Sequence, residues 1–487
     1  MRLRKNLLVL LLLAAASCLA FGQWPQQGSV GPPLALRTAA RQLRSTLPGP
    51  SAEPITCSPA PCVLPPTQSS EGGAEVADAP IASDPINRQN LLLGSVDANC
   101  PGAGGSGFHI SSDGGSTWSR TCMPGIDTRE HLYIPGGQPM VGYDLTGAAY
   151  IADGYGDSEG LGFGLIGVER STDGITWSNP VIAMGSPTVF KQPDYSSLAI
   201  DRSPTSPYAN RLYISAVVLN EPLQNKNQLV VAHSSNGGAS WKSVAVAPAQ
   251  SYPTADAYTS TAVNNEGTVY LTWMYCNSGP YFCNDDHAYM VLSKSSDGGD
   301  TWSTPTPLAE VVLNGEGIPN TDVGADNTPA IGVDDSGGPY AGNLYVVMYS
   351  WTGTYLRVQV VRSIDGGTTW SKPVPVAPPS DTHDQFFPWL SVSPTGLVGV
   401  SWLDRRNDPN NIDYQAYAAI SRDGGQSFEP NVQLTTAFSD PNVNGGNRWM
   451  GDYTGNTWDG PNYFIAAWMD SSNGVDMQDV VGGIRLK

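Results

Sequence analysis

A short turn-like segment recurs six times along the chain, and its regular spacing constrains the fold more than any other feature. Each copy begins with Ser, carries Asp or Asn two residues later, continues through Gly and ends in Trp or Phe. The copies, which we call the repeat segments, lie at 111–118, 171–177, 234–241, 295–302, 363–370 and 421–428. Their Asp or Asn residues are Asp113, Asp173, Asn236, Asp297, Asp365 and Asp423. A period of about 60 residues is typical of one β-propeller blade with long loops.

The residues of each repeat segment predict a tight hairpin turn. Asp-Gly and Gly-Gly pairs favour hairpin turns because such turns need positive φ. An Asp side chain just before them can accept hydrogen bonds from the backbone N–H groups of the turn. The final Trp or Phe supplies a large apolar group that packs on a neighbouring sheet. Strand-like runs such as 229–232 and 242–246 flank the segments, so each one is predicted to join two strands.

The repeat segments resemble the Asp-box, or BNR, repeat of sialidase-like β-propellers, and the resemblance covers nearly all of residues 80–487. In that family the box lies on the hairpin between the third and fourth strands of a blade, away from the binding face. The resemblance therefore implies an all-β propeller in which the six Asp or Asn residues are structural. It also implies a ligand site on the channel face, opposite the boxes.

The end of the chain favours seven blades, with six blades, as in the catalytic sialidases, as the alternative. Residues 446–487 contain strand-like runs but no repeat segment, which predicts a seventh unit that lacks its fourth strand. A strand from within 52–80 could complete this unit and close the ring, removing the free sheet edges. We thus divide the chain into a signal peptide (1–22), a Pro-rich leader that can donate this strand (23–79) and the propeller (80–487).

The N-terminus has the pattern of a secretory signal. Three basic residues precede the apolar run 7–16, which is too short to span a bilayer. The alternative is a lipid anchor on Cys18. We therefore predict a secreted or periplasmic monomer with no membrane span.

The remaining cysteines and the charge fit an exported protein. Six cysteines remain after Cys18, an even number that predicts disulfides. Their spacing favours the local pairs Cys57–Cys62, Cys100–Cys122 and Cys276–Cys283, although other pairings stay open. The net charge of -19 argues against nucleic acid as a partner, because phosphate backbones attract basic surfaces.

Acidic residues precede the predicted first strand of several blades. They are Asp194, Asp256, Asp326, Asp384 and Asp452. Carboxylates that converge on one end of a channel could bind Ca²⁺, hydrogen-bond sugar hydroxyls or have perturbed pKa values. The alternative is that each Asp caps its own turn. No cofactor is required by this pattern, and Ca²⁺ is the metal that it would suit.

Two further clusters could contact a ligand. One cluster, at a predicted strand end, consists of Trp402, Asp404 and Arg405. Its Asp and Arg could hold a carboxylate or a polyol of the ligand. The alternative is that they pair with each other and close the loop. Arg448 and Tyr453 form the second cluster. Asp404 and Tyr453 have suitable chemistry for catalysis, but the Arg-Ile-Pro motif and arginine triad of sialidases are not found.

These features predict an exported propeller that acts on or binds extracellular glycans, with catalysis undecided. If it is an enzyme, the resemblance implies a glycoside hydrolase of the exo-sialidase kind. The alternative is a non-catalytic propeller that binds a protein or a cell surface, since one fold hosts many functions.

Overall fold

A computed structural model describes residues 57–70, 73–100, 105–160, 164–185, 192–219, 226–251, 254–277, 287–314, 317–324, 327–443 and 449–487. These residues form β-strands and loops, and none of them is helical. Accordingly, no helix that could cross a membrane occurs in this part of the chain. The predicted signal peptide, the leader up to residue 56, Cys18, Cys283, Asp326 and Arg448 lie outside the described residues.

The described strands form seven antiparallel sheets, which we number as blades one to seven. The innermost strands, in this order, are Ile81–Ser83, Met140–Tyr143, Gln192–Ile200, Thr254–Val263, Ala330–Val333, Gln385–Val392 and Gly455–Asp459. The second strands are Leu91–Asp97, Ala149–Asp157, Leu212–Leu219, Val269–Asn277, Leu344–Trp351, Val398–Asp404 and Tyr463–Asp470. The third strands are Ser106–Ser111, Gly164–Ser171, Lys226–Ser234, His287–Ser295, Leu356–Ser363, Gln415–Ser421 and Gln478–Arg485. The outermost strands are Ser119–Cys122, Val181–Gly185, Lys242–Ala245, Thr306–Val312, Val374–Pro375, Val432–Gln433 and Cys62–Gln68.

Short strands supplement three of the blades. Val76–Ala77 adds to the inner edge of blade one, and Leu132–Pro135 with Ile126–Asp127 to the inner edge of blade two. Gln250–Ser251 pairs with the third strand of blade three. These additions leave the order of the four main strands in each blade unchanged.

The seven blades form a closed ring. The innermost strand of each blade contacts that of the next, and Gly455–Asp459 of blade seven contacts Ile81–Ser83 of blade one. The chain is a seven-bladed β-propeller. The sequence-based prediction of an all-β propeller with seven blades is therefore confirmed.

Blade seven combines strands from both ends of the chain. Cys62–Gln68 pairs antiparallel with Gln478–Arg485, from Cys62 opposite Arg485 to Gln68 opposite Val480. The Ser69 backbone N–H and hydroxyl both donate to the Asp479 carbonyl, at 2.9 Å. This outermost strand lies within 52–80, the range in which the sequence placed a closing strand.

The repeat segments join the third and fourth strands of blades one to six. In the fifth copy, Asp365 accepts hydrogen bonds from the Thr369 N–H (2.8 Å), the Thr369 hydroxyl (2.6 Å) and the Ser363 hydroxyl (2.7 Å). The same Ser hydroxyl bond reaches Asp113, Asp173, Asn236, Asp297 and Asp423. Positive φ at Gly366 (66°) and Gly367 (84°) shows why the turn needs glycine.

Contacts between blades hold these turns in place. Cationic side chains donate to a carbonyl in the repeat segment of the next blade: Arg211 to Gly298 (2.7 Å), Lys294 to Gly366 (2.9 Å) and Arg362 to Gly424 (3.3 Å). Apolar side chains fill the space between the sheets, where Trp273, Trp402 and Trp468 are almost fully buried. Since both faces of each blade are covered, little surface remains for charge, which accounts for the 14% of charged residues.

The predicted disulfides Cys57–Cys62 and Cys100–Cys122 are present in the structure, with Cα–Cα distances of 6.0 and 5.4 Å. Cys276 is also disulfide-bonded. Its predicted partner, Cys283, lies outside the described part of the chain.

The repeat turns should make folding stability sensitive to acid. Hydrogen bonds from the Thr369 hydroxyl and N–H, with one from Ser363, lower the pKa of Asp365 to about 2. Its stabilising effect is thus complete above pH about 4 and is lost as the pH falls towards about 2. We expect Asp365→Asn to flatten the pH dependence of the free energy of unfolding in this range, and Asn236→Asp to steepen it. Urea unfolding at several pH values measures how the free energy of unfolding changes with pH. If the wild type, Asp365→Asn and Asn236→Asp all show the same change, the repeat turns are not the cause of the acid sensitivity.

Candidate functional site

The innermost strands of blades three, four and six begin with the same β-bulge. The pairing register with the second strand shifts between Asp194 and Ser197, Ala257 and Ser260, and Phe386 and Trp389. The first bulged residue in each case is aromatic and has positive φ: Tyr195 (53°), Tyr258 (55°) and Phe387 (47°). Positive φ is unfavourable for a bulky residue, and such strain is common at ligand sites. We call this end of the ring, with these three aromatics, Asp194 and Asp452, the channel mouth.

The channel mouth and the repeat segments lie at opposite ends of the ring. Because successive antiparallel strands reverse direction, the turn after a third strand lies at the end where the innermost strand finishes. The innermost strands begin at the other end.

The bulges show that the acidic residues predicted to form a ring are not at equivalent positions. Asp194 aligns with Ala257 and Phe386, whereas Asp256 comes one residue earlier and Asp384 two residues earlier. An offset of one residue turns the Asp256 side chain to the other face of its sheet, and Asp384 precedes Gln385, the first residue of its strand. The structure therefore separates Asp256 and Asp384 from the position of Asp194.

Asp256 and Asp384 are buried and bound by neighbouring groups. Asp256 accepts a hydrogen bond from the indole N–H of Trp273 at 2.7 Å, and burial raises the pKa of this carboxyl to about 6. Asp384 accepts from the Leu356 N–H (2.7 Å) and the Asn411 amide (2.6 Å). The Trp273 contact joins the first two strands of blade four, and the Leu356 contact joins blade six to blade five, so neither bond lies within the turn of the Asp itself.

Asp452 occupies in blade seven the position that Asp194 has in blade three. The Thr454 hydroxyl donates to the Phe387 carbonyl at 2.8 Å, just as the Thr259 hydroxyl donates to the Tyr195 carbonyl at 2.6 Å. Asp452 precedes Thr454 by two residues, as Ala257 precedes Thr259. The structure therefore brings Asp452 and Asp194 to equivalent places at the channel mouth.

The two carboxyl groups differ in their surroundings and influence each other. Burial, together with a smaller effect of the negative charge of Asp452, raises the pKa of Asp194 to about 6, against the lowering effect of the Tyr195 N–H. Asp452 accepts a hydrogen bond from the Trp449 indole N–H at 2.6 Å. Both side chains are only half-buried, so a ligand can reach them.

A third carboxyl group, Asp78, lies behind Asp452 and was missed by the sequence reasoning. Asp78 is fully buried, has positive φ (64°) and accepts a hydrogen bond from the Asp452 N–H at 2.6 Å. Burial and the Asp452 charge raise the pKa of Asp78 well above its usual range. Asp78 lies in the part of the sequence interpreted as the leader. Its one signal is its place just before Pro80 and the strand that follows.

Aromatic side chains surround these carboxyl groups. The rings of Tyr195 and Tyr258 meet edge to face with centroids 4.5 Å apart, and those of Trp389 and Tyr453 are 5.8 Å apart. Tyr453, a catalytic candidate from the sequence, is buried and donates its hydroxyl to the Pro139 carbonyl at 2.7 Å. This bond makes Tyr453 a bridge between blades seven and two.

The side chains of the Trp402–Asp404–Arg405 cluster bond to other residues of the fold. Asp404 accepts hydrogen bonds from the Trp402 indole (2.7 Å) and from Arg406 Nε (2.9 Å), and Arg406 lies over the Tyr417 ring. Arg405 is fully buried and donates to the Pro319 carbonyl at 2.6 Å. These contacts correspond to the loop-closing alternative.

No metal cluster is visible in the residues that the structure describes. Among them, no group of three or more His, Cys, Asp or Glu side chains is arranged to hold an ion. The predictions for Asp326 and Arg448 fall outside these residues.

The comparisons with known proteins concern the fold. No protein-family model and no curated protein matches the sequence. Sialidases are among the solved structures that the chain resembles. The Hadza microbial sialidase Hz136 is 14% identical with a TM-score of 0.46, over 90% of this chain and 99% of that chain.

Two further structures are similar to the same extent. The intramolecular trans-sialidase from Ruminococcus gnavus is 12% identical with a TM-score of 0.45, over 78% of this chain and 99% of that chain. A protein of unknown function from Dyadobacter fermentans is 15% identical with a TM-score of 0.46, over 72% of this chain and 94% of that chain. At such identities the roles of individual residues must come from this chain alone.

Proposed function

We propose that this protein is exported and acts on or binds an extracellular glycan at the channel mouth. The observation that carries the proposal is the pair of half-buried carboxyl groups, Asp194 and Asp452, at equivalent places in blades three and seven. The signal-like N-terminus and the disulfides support export, since disulfides persist in oxidising compartments.

The surroundings of this pair suit sugar chemistry. Glycoside hydrolysis generally uses one carboxylic acid with a raised pKa and a second carboxylate that stabilises or attacks the sugar. A pKa of about 6 lets Asp194 hold a proton for a leaving group near neutral pH. Asp452, which accepts the Trp449 N–H, is the partner carboxylate. The half-buried Tyr195 ring, which meets the buried Tyr258 ring edge to face, offers an apolar face on which a sugar can pack.

The first test is a glycan array together with hydrolysis of fluorogenic sialosides and other glycosides. If the protein turns over a glycoside, we expect Asp194→Asn to lower kcat by about 10²–10⁴-fold, the usual contribution of a general acid. Binding of the same glycan should persist, because the amide keeps the size and polarity of the carboxyl group.

The matched control is Asp459→Asn. Burial raises the pKa of Asp459 to about 6 as well, but this residue ends the innermost strand of blade seven, away from the channel mouth. Turnover by this variant should equal that of the wild type. Binding without turnover would identify a glycan-binding module, and binding should then weaken in Asp452→Asn. If neither Asp194→Asn nor Asp452→Asn alters turnover or binding, the site lies elsewhere and the proposal is wrong.

A further inference from the structure

A four-residue loop of blade two contacts the chain on both sides of the channel mouth. Residues 136–139, which we call the 136–139 loop, connect the short strand Leu132–Pro135 to the innermost strand Met140–Tyr143. The last three residues of the loop are buried. A buried loop carries backbone polar groups that need hydrogen-bond partners, so these partners determine where the loop lies.

The first contact is with the bulge that carries Asp194. Oε1 of Gln138, a residue that is 8% exposed, accepts the Ser196 N–H at 2.9 Å. Ser196 lies inside the bulge, where the register shifts between Asp194 and Ser197. A bulge leaves backbone groups without a partner in the neighbouring strand. Gln138 therefore supplies the bond that holds the backbone two residues after Asp194.

The second contact is with the residue that follows Asp452. The Pro139 carbonyl accepts the Tyr453 hydroxyl at 2.7 Å, and both residues are buried. A buried hydroxyl that loses its partner is unfavourable, so this bond holds the Tyr453 side chain in one place. The 136–139 loop thus contacts the neighbours of both Asp194 and Asp452.

Asp153, on the second strand of blade two, holds the loop in place. Its side chain is 0% exposed, and its Oδ1 accepts the Gly154 N–H at 2.8 Å. The donors to this carboxyl group are the Ser106 hydroxyl and the N–H groups of Gly136, Gly137 and Gly154. Burial raises the pKa of Asp153 to about 7, against the lowering effect of these bonds. Since two of the donors belong to the 136–139 loop, the carboxyl group anchors the loop.

Glycine lets the loop come close enough for these bonds. A Cβ atom at Gly137 would lie 2.7 Å from Cα of Gly154, which is closer than two such atoms can approach. The Gly136 N–H also donates to the Gly154 carbonyl at 3.2 Å. The loop therefore packs directly on the backbone next to Asp153, with no side chain between them.

We propose that Asp153 is a positioning residue for the channel mouth and acts through the 136–139 loop. By anchoring the loop, it fixes the backbone beside Asp194 and beside Asp452. The charge that acts on Asp194 is that of Asp452 and not that of Asp153, so an effect of Asp153 on Asp194 passes through the loop. This role presupposes a ligand at the channel mouth, as in the proposed function.

An NMR titration of the Asp carboxyl groups tests this role without any ligand. Asp153→Asn keeps the size of the side chain but places an amide N–H group against the N–H groups of the loop, which should release the loop. Asp194 should then become more exposed, and its pKa should fall from about 6 towards its ordinary value of about 4. The Asp194 signal is identified by its absence from Asp194→Asn. If Asp153→Asn leaves the pKa of Asp194 at about 6, the proposal is wrong.

Glu169→Gln is the matched control. Glu169 lies on the third strand of blade two and is 2% exposed, and burial with the Asp153 charge raises its pKa to about 8. Within the described part of the chain, no hydrogen bond joins Glu169 to the 136–139 loop. Glu169→Gln should therefore leave the pKa of Asp194 at about 6. A fall in this variant too would mean that any change in blade two loosens the mouth, and Asp153 would have no special role.

Gln138→Met tests the route through the loop. Methionine keeps the length of the side chain but cannot accept the Ser196 N–H well, so the pKa of Asp194 should fall although Asp153 keeps all its bonds. In the double variant, Asp153→Asn should add little to this fall, because both changes release the same contact. Additive falls, or no fall in Gln138→Met, would contradict the proposal. The single Gln138→Met variant decides this even if Asp153→Asn does not fold.

Glycan binding gives a second measurement. A glycan that binds the wild type should bind Asp153→Asn and Gln138→Met about tenfold more weakly, because a loosened mouth must be ordered again on binding. Glu169→Gln should bind as the wild type does, and equal affinities for all four proteins would overturn the proposal. If no glycan binds the wild type, the proposed function fails, whereas the pKa of Asp194 still decides whether Asp153 positions the mouth.

Discussion

Removing the closing strand, Cys62–Gln68, should lower the free energy of unfolding by on the order of 5 kcal/mol. The protein would lose several backbone hydrogen bonds, each contributing about 1 kcal/mol, and the burial of one leucine. The leucine is Leu64, which is 1% exposed. The strand also links blade seven to blade one, because the Thr67 hydroxyl donates to the Gly115 carbonyl at 2.9 Å. Without it, Gln478–Arg485 becomes a free edge that can pair with other chains.

Urea unfolding of a variant that lacks residues 23–70 measures this loss. The control lacks only residues 23–56 and keeps Cys57 and the strand, so its unfolding midpoint should match that of the mature chain. A synthetic peptide of residues 57–70, added in trans, should restore much of the stability, because the edge that it pairs with is otherwise intact. Equal midpoints for the two deletions would show that the strand does not hold the ring closed.

The architecture could be predicted because its signals are local. The Ser, Asp and Gly residues that form each turn lie within a few positions of one another, as the bonds around Asp365 illustrate. Their spacing then gives the blade period. The seventh blade followed from strand-like runs without a repeat segment, and ring closure from the need to cover a free edge.

The candidate site could be predicted only in part because it depends on register. Acidic residues near strand starts are visible in the sequence, but the bulges that align Asp194 with Ala257 are not. This offset left Asp256 bound to Trp273.

Breaking the buried pair of Asp384 and Arg405 is expected to destabilise the protein strongly. Asp384→Asn should lower the free energy of unfolding by about 3–5 kcal/mol. Both side chains are fully buried, and Nη1 of Arg405 lies 3.3 Å from the Asp384 carboxylate. Nε and Nη2 of Arg405 have no hydrogen-bond partner, while the guanidinium lies 5.3 Å from the Phe386 ring centroid. Asparagine keeps an acceptor for the Leu356 N–H but removes the carboxylate nearest the guanidinium, which leaves the weaker effect of the Asp408 charge to offset it.

A double-mutant cycle separates the interaction energy of this pair from the destabilisation that results when one buried charge is left without the other. Arg405→Met in the Asp384→Asn background should recover most of the lost stability, because it removes the uncompensated charge and keeps an apolar contact with Phe386. Glu429→Gln is the matched control, since its pair with Arg422 is exposed and should contribute about 1 kcal/mol or less. Urea unfolding of the wild type, the two single variants and the double variant gives the coupling energy between Asp384 and Arg405. If Asp384→Asn costs no more than Glu429→Gln, Asp384 does not serve as the counter-charge that stabilises this seam. Recovery in the double variant would instead show that burial of Arg405 is what makes Asp384 indispensable.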